Sequence, residues 1–380
     1  MKILFTVAFL DGLHGSVIYI KEIATFLASP KGGSHSISVM TIFATPEIKL
    51  LFKKCGLNVC TLDDIDFDTI YDIVFAYHFP TINTLISRKL KCKKLILGCL
   101  SSFDLLEIPP LYYDCASLIL AVSSEAKNNL VKSYNIPSEK ISVMENLIPD
   151  NFLYYKSSRK LENKFPKRIA VVSTHIPREI FNLKNIISND ISIEYFGSQV
   201  KSVEITPQLL AGFDIIITIG KTVLYALGLG IPVYEYDIHG GNGFIRLKNI
   251  HLEVYSNFSG RPQCRKLSSI KILDELLSQY EYDVEDVNGL KKIALQKFSL
   301  SKNINNIIKK ISSCDDFKLK SNSDMNIYLQ QGVCFFNWAL NIKRQEYTLL
   351  KTYRLLIEEN EKLKNDLFIL LSKIKSTRNG

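Results

Sequence analysis

From Lys2 to Tyr236 the chain alternates short apolar runs with stretches of helical spacing, and this alternation limits its fold more than any other feature. Lys2–Ala8, Ile37–Phe43, Asp72–Tyr77, Lys94–Leu100, Ser117–Val122 and Lys140–Met144 read as strands. Helices are expected over Gly15–Ala28, Pro46–Cys55, the stretch after Pro80, and Ser124–Tyr134. Apolar strands separated by helices make βαβ units, whose parallel sheets are covered on both faces. The pattern stops in a polar, lysine-rich segment, 151–167, and then restarts. Strands are expected at Arg168–Ser173, Ser192–Phe196, Asp214–Ile219 and Pro232–Tyr236, with a helix over Thr222–Leu229. Helices Ile270–Gln279, Val284–Gln296 and Ser301–Ile311 close this half. The expected fold is α/β: two tandem doubly wound, Rossmann-like domains with a ligand cleft between them.

A length of 380 residues agrees with two domains and an appendage, at ~100–200 residues per domain. We place the domains at 1–150 and 168–312, with linkers at 151–167 and 313–324 and a helical tail at 325–380. With 47% hydrophobic residues the chain can build packed cores, which excludes collagen-like and disordered classes. The longest apolar runs, such as Leu95–Leu100 and Ile215–Ile219, fall far short of the ~20 residues that span a bilayer. The run Met1–Ala8 is too short for a signal peptide. Eight cysteines without a C-x-x-C pair read as reduced, mostly buried residues of a cytoplasmic protein, and no metal site is expected of them. The net charge of +9 points to an anionic partner, a phosphate-bearing ligand or a membrane surface. Nucleic acid is not expected, because the chain holds no recognisable module and no aromatics interleaved with its cations.

In the tail, Leu349, Tyr353, Leu356, Asn360, Leu363, Leu367, Leu370 and Ile374 follow at alternating steps of four and three. This is the seam of a short coiled coil, with Asn360 as its polar register residue. A homodimer through 349–374 and a helix packed back on its own domain both fit it.

The segment from Ile219 to Phe244 carries the most chemistry. It reads as strand, helix start (Gly220-Lys221-Thr222), helix, tight turn, strand and the glycine-rich Gly240-Gly241-Asn242-Gly243. Free amides and the helix dipole at Lys221 and Thr222 favour an anion. Glycine amides past the next strand can approach a phosphate closely. A P-loop is excluded, since Ile215 stands where that pattern needs its first glycine.

The helix-turn-strand-loop resembles the donor-binding region of GT-B glycosyltransferases of the family 4 type. Leu13-His14-Gly15-Ser16 with the helix after it, and Ala121–Asn146, are similar to that family's N-domain. Phe258-Ser259-Gly260-Arg261 is similar to a segment of its members from O-antigen and capsule synthesis. The two glutamates usual in family 4 are matched here by Ile217 and Tyr225. The resemblance implies a retaining transferase that moves a sugar from a nucleotide diphosphate-sugar to a lipid-linked surface glycan, such as an O-antigen, lipopolysaccharide or capsule chain. It implies Lys221, Arg178, Thr222, Tyr225, Gly15, the amides of Gly240–Gly243 (with Asn242) and Arg261 as donor and diphosphate contacts. Lys221 would stabilise the departing diphosphate. His14 would face the cleft and orient acceptor or donor, while His78 and His239 are lesser candidates.

No cofactor or metal is expected. Asp63-Asp64-Ile65-Asp66-Phe67-Asp68 has an Asp-x-Asp spacing but precedes a strand, and reads as a solvated acidic loop. The basic run 88–94, with Lys49, Lys53 and Lys54, suits an anionic surface on the inner face of a membrane. Two other functions share this fold. One is a catalytically silent subunit tethering an active partner; the other is a nucleotide-sugar 2-epimerase.

Overall fold

The computed structural model describes residues 1–155, 165–197, 200–201, 203–261, 265–280, 284–319 and 323–378. Side chains at 284, 323 and from 365 onward lie outside that description, as do the middle of the 151–167 linker, 320–322 in the second linker, and the seam positions Leu367, Leu370 and Ile374.

Two sheets form. The first has seven strands: β1 (Lys2–Leu10), β2 (Ser36–Ala44), β3 (Asn58–Cys60), β4 (Ile70–Ala76), β5 (Lys91–Cys99), β6 (Leu118–Ala121) and β7 (Ile141–Val143). They run parallel in the order β3-β2-β1-β4-β5-β6-β7. The second has five: β8 (Arg168–Val172), β9 (Ser192–Phe196), β10 (Ile215–Thr218), β11 (Val233–Asp237) and β12 (Gly240–Phe244). Their order is β12-β11-β10-β8-β9, and all but β12 are parallel. Strands β1 and β10 are buried almost throughout, as expected where helices cover both faces.

Local chemistry sets the helices. Val17, Ile20, Ile23, Ala24 and Leu27 give the helix Gly15–Ala28 one buried stripe at helical spacing. Ser123 caps Ser124–Tyr134 by accepting from the Ala126 N–H at 3.0 Å, and Asn135 ends it in the left-handed region at φ 54°.

The structure corrects the domain boundary. The helix Leu300–Ser312, assigned to the second domain, packs Leu300, Ile304, Ile307 and Ile311 into the core of the first, against Ile3, Phe26 and Ile37. The chain therefore crosses between the domains twice. At the crossing Ile148 N–H donates to Phe298 O at 2.7 Å, and Leu300 N–H donates to Ile148 O at 2.9 Å. Four apolar residues at helical spacing identify the buried face of a helix but not which core receives it, and that is why the boundary was misplaced.

The tail is one helix, Ser323–Arg378. Its first turns dock on the first domain through Leu329, Phe336 and Ala339. Lys343 pairs with Asp11 at 2.8 Å, and Tyr347 lies against Phe43. Beyond residue 348 every described side chain is exposed.

Truncating Ile304 to alanine should cost about 2–5 kcal/mol, because its side chain is fully buried. Truncating the exposed Leu349 should stay within about 0.5 kcal/mol. Denaturant unfolding of the two variants checks both, and equal effects would place the 300–312 helix outside the core.

Candidate functional site

In doubly wound sheets ligands bind outside the carboxyl ends of the strands, where the strand order reverses. The reversal falls between β1 and β4 in the first sheet and between β8 and β10 in the second.

At the first of these edges the loop after β1 leads through His14 into the helix Gly15–Ala28, and both His14 and Gly15 are exposed. A side chain at Gly15 would meet nothing within 4 Å, so the helix start is open. His14 Nε2 lies 3.3 Å from Asp11 Oδ1. Partial burial alone would raise the Asp11 carboxyl, but the hydrogen bonds and charges of His14 and Lys343 outweigh it and hold it at about 2. The tail helix thus reaches the edge of the cleft.

His78 follows β4 and is buried, in an unusual backbone conformation at φ 65°. Its Nδ1 accepts from the Ala8 N–H at 3.1 Å, so its proton is on Nε2, 3.4 Å from the buried Glu107 carboxylate. Glu107 in turn accepts from the Leu100 N–H at 3.1 Å. The imidazole is thereby fixed between two neighbouring strand ends.

The second edge places Ser173 after β8, Thr218 at the end of β10 and Asp237 at the end of β11. Ser173 Oγ donates to Asp237 Oδ2 at 3.1 Å. Burial raises the Asp237 carboxyl, against hydrogen bonds from the Ile238 N–H and Ser173 and the nearby His175 and His239. Arg178, His175 and His239 are exposed beside it.

Lys221 opens the helix Lys221–Leu229 behind Gly220, which holds φ 63°. Its side chain is not in open solvent. It is 8% exposed, and its Nζ lies 2.6 Å from Glu22 Oε2, itself 12% exposed. The same ammonium donates to Leu147 O at 3.2 Å and lies over the rings of Tyr19 and Tyr225. The Tyr225 hydroxyl donates to Glu22, and its ring stacks on Phe152 at 4.2 Å. Burial is the larger influence on Glu22 and lifts its carboxyl above the ordinary value, with Lys221 and Tyr225 pulling it back. The anion that a helix-start lysine calls for is therefore a carboxylate of the first domain. Nothing around Glu22 in the sequence, within an ordinary amphipathic helix, singles it out.

Two further ion pairs also bridge the domains, one of them made by the candidate Arg261. Arg261 Nη2 lies 2.5 Å from Glu125 at the start of the helix Ser124–Tyr134, and its guanidinium covers the Phe103 ring. Lys21 reaches across to Glu204.

The glycine segment needs correction. Gly240–Gly243 is not a loop but belongs to β12, antiparallel to β11. Its glycines are required by close packing. A side chain at Gly240 would fall 2.5 Å from Arg265 O, and one at Gly241 would overlap Glu235 O. Tyr234 and Tyr236 complete the β11 strand pattern, and the glycines after it read in sequence as a loop. Only the fold reveals a second strand laid against backbone.

Asn242 binds Glu253, and Glu253 is fully buried against Glu235, also fully buried. Glu235 Oε1 accepts from the Gly260 N–H at 3.1 Å. Desolvation first, and then the Glu253 carboxyl, push the Glu235 carboxyl well above its ordinary value. The pair joins β11, β12 and the Ser259-Gly260 turn. The sequence reading missed it, because the two residues are eighteen positions apart on different elements.

Outside the cleft, Asp64 caps its own turn at Thr61, Asp66 bonds Thr69, and Asp68 pairs with Lys91. Lys93 and Lys94 pair with Asp72 and Asp316. These lysines open β5, at the opposite edge of the sheet from the cleft. Among the described residues no helix is long and apolar enough to cross a membrane.

No family model matches the chain, and no curated protein matches it in sequence. Solved structures do match in fold. HepE from Anabaena, solved with UDP and glucose, superposes with a TM-score of 0.56 at 14% identity, over 82% of this chain and 100% of that one. A glycosyltransferase from Rickettsia africae gives 0.50 at 13% identity, over 82% and 97%. The architecture is the GT-B fold: two facing Rossmann-like domains, here followed by a long helix.

Because Glu235 is easier to protonate when folded, the protein loses stability as pH rises above the unfolded carboxyl range toward the raised folded value. The isostere Glu235→Gln escapes that loss. Its melting temperature relative to wild type should climb between pH 5 and pH 8, and a constant difference would contradict the raised Glu235 carboxyl.

Proposed function

We infer that the chain is a glycosyltransferase that takes its sugar from a nucleoside diphosphate donor held between the two sheets. The observation carrying this reading is the apposition of the two switch points. Lys221, at the start of the helix that follows β10, is joined to Glu22 of the helix that follows β1, so both carboxyl edges open on one cleft. The fold is that of HepE, which was solved with UDP-glucose as well as with UDP and glucose.

Within the cleft the open groups suit the parts of such a donor. Arg178 and the exposed start of the helix Gly15–Ala28 can face the diphosphate, where fixed amides and a cation stabilise charge on the leaving group. Thr222 stands on the first turn of the facing helix. The Ser173–Asp237 pair, with His175 and His239, offers hydroxyl partners for a ribose or sugar. His14, oriented by Asp11, is placed to contact donor or acceptor. Lys221 and Tyr225 act one layer below by fixing the cleft walls. Arg261 holds the Ser259-Gly260 turn to Glu125. We further propose retention and a lipid-linked surface glycan as acceptor; the family 4 resemblance of the Ile219–Phe244 and Phe258–Arg261 segments supports both.

A thermal-shift panel of nucleoside diphosphates tests this. One member at 100 times its Kd should add about 2.7 kcal/mol of stability. Arg178→Ala, on an exposed side chain, should weaken that ligand at least about tenfold with the melting temperature of the free protein unchanged. A folded protein that no nucleotide stabilises would overturn the transferase and favour a silent subunit.

A further inference from the structure

Past Tyr347 the tail helix leaves the first domain and continues to Arg378. Leu349, Tyr353, Leu356 and Leu363 are 71%, 61%, 58% and 62% exposed. A run of large apolar side chains at one helical face, in water, is an unfilled interface. Their spacing assigns Leu349, Leu356, Leu363 and Leu370 to the d positions of a heptad, and Tyr353, Asn360, Leu367 and Ile374 to the a positions. The seam from 349 to 374 is about 39 Å long at 1.5 Å per residue.

We propose that this seam pairs with the same seam of a second copy of the chain, as a parallel, in-register, two-stranded coiled coil. The reading is independent of the transferase function. Two features select this occupant and this orientation. Leucine at d with a single asparagine at a favours two parallel strands, because the buried Asn360 amide is satisfied by its equivalent only when the strands are in register. The flanking charges agree. Glu359 is at g and Lys364 at e of the following heptad, the two positions that meet across a parallel dimer. Within one helix these two residues are five apart and do not face each other; there Glu359 has Lys362 and Lys364 has Glu361 three residues away, whereas across a parallel pair Glu359 and Lys364 meet directly. The seam is broadened by Leu350 and Ile357, exposed at 48% and 44% on the e side.

The test is light scattering of the full chain at tens of micromolar, together with charge exchange at Glu359 and Lys364. Wild type should have twice the chain mass. Glu359→Lys and Lys364→Glu should each raise the dimer Kd about tenfold or more, and the double exchange should bring it back to within about threefold of wild type. Leu356→Lys with Leu363→Lys should give a monomer whose circular dichroism outside the tail signal and melting temperature are retained, because both side chains are exposed on the single chain. A monomeric wild type, a trimer or tetramer, or a double exchange no tighter than either single would each overturn the proposal.

Discussion

An ammonium buried between two domains costs several kcal/mol unless an anion meets it. Lys221 has that anion in Glu22, and the rest of the interdomain geometry follows from where the two must stand. Lys221 can begin its helix only if β10 delivers it to the cleft edge; Glu22 lies two turns into the helix after β1. Their contact therefore fixes the carboxyl ends of both sheets relative to each other. Tyr225, one turn along from Lys221, ties the same carboxylate from the second domain and stacks on Phe152, which comes from the segment where the chain first crosses. The double crossing at Ile148 and Phe298–Leu300 closes the arrangement from the other side.

The alternation of strands and helices was legible because periodicity is a local property and burial on both faces leaves it strong. Most elements lie within two or three residues of where spacing placed them, from Gly15–Ala28 to Ser192–Phe196. What local pattern could not carry was partnership. The Leu300–Ser312 helix has the same apolar stripe whichever domain it covers, so its return to the first domain was invisible. The glycines of β12 suggest a loop until Arg265 and Glu235 are seen to occupy the space a side chain would need.

The site was legible in part for the same reason. Lys221 is a cation at the N-terminal, positive end of a helix dipole, and the anion beside it is the Glu22 carboxylate. It is an internal one, and so the residue works through the cleft walls rather than toward open space. Ile217 is a core residue of β10, and Tyr225 turns its hydroxyl to Glu22. Glu22, Glu235 and Glu253 escaped notice because a carboxylate in an amphipathic pattern carries no mark of the partner it will meet. Arg178, His14 and the start of the first helix are exposed, while Ser173 is bonded to the buried Asp237.

A double-mutant cycle on Lys221 and Glu22 tests the interdomain pair directly. Lys221→Met, Glu22→Gln and the combination would be compared by denaturant unfolding. Removing the ammonium by Lys221→Met, which leaves the Glu22 carboxylate buried without its partner, should cost about 3–5 kcal/mol. The double variant should recover at least about 1–3 kcal/mol relative to the sum of the singles. Strictly additive effects would mean that the two side chains do not depend on each other, and that something else sets the cleft.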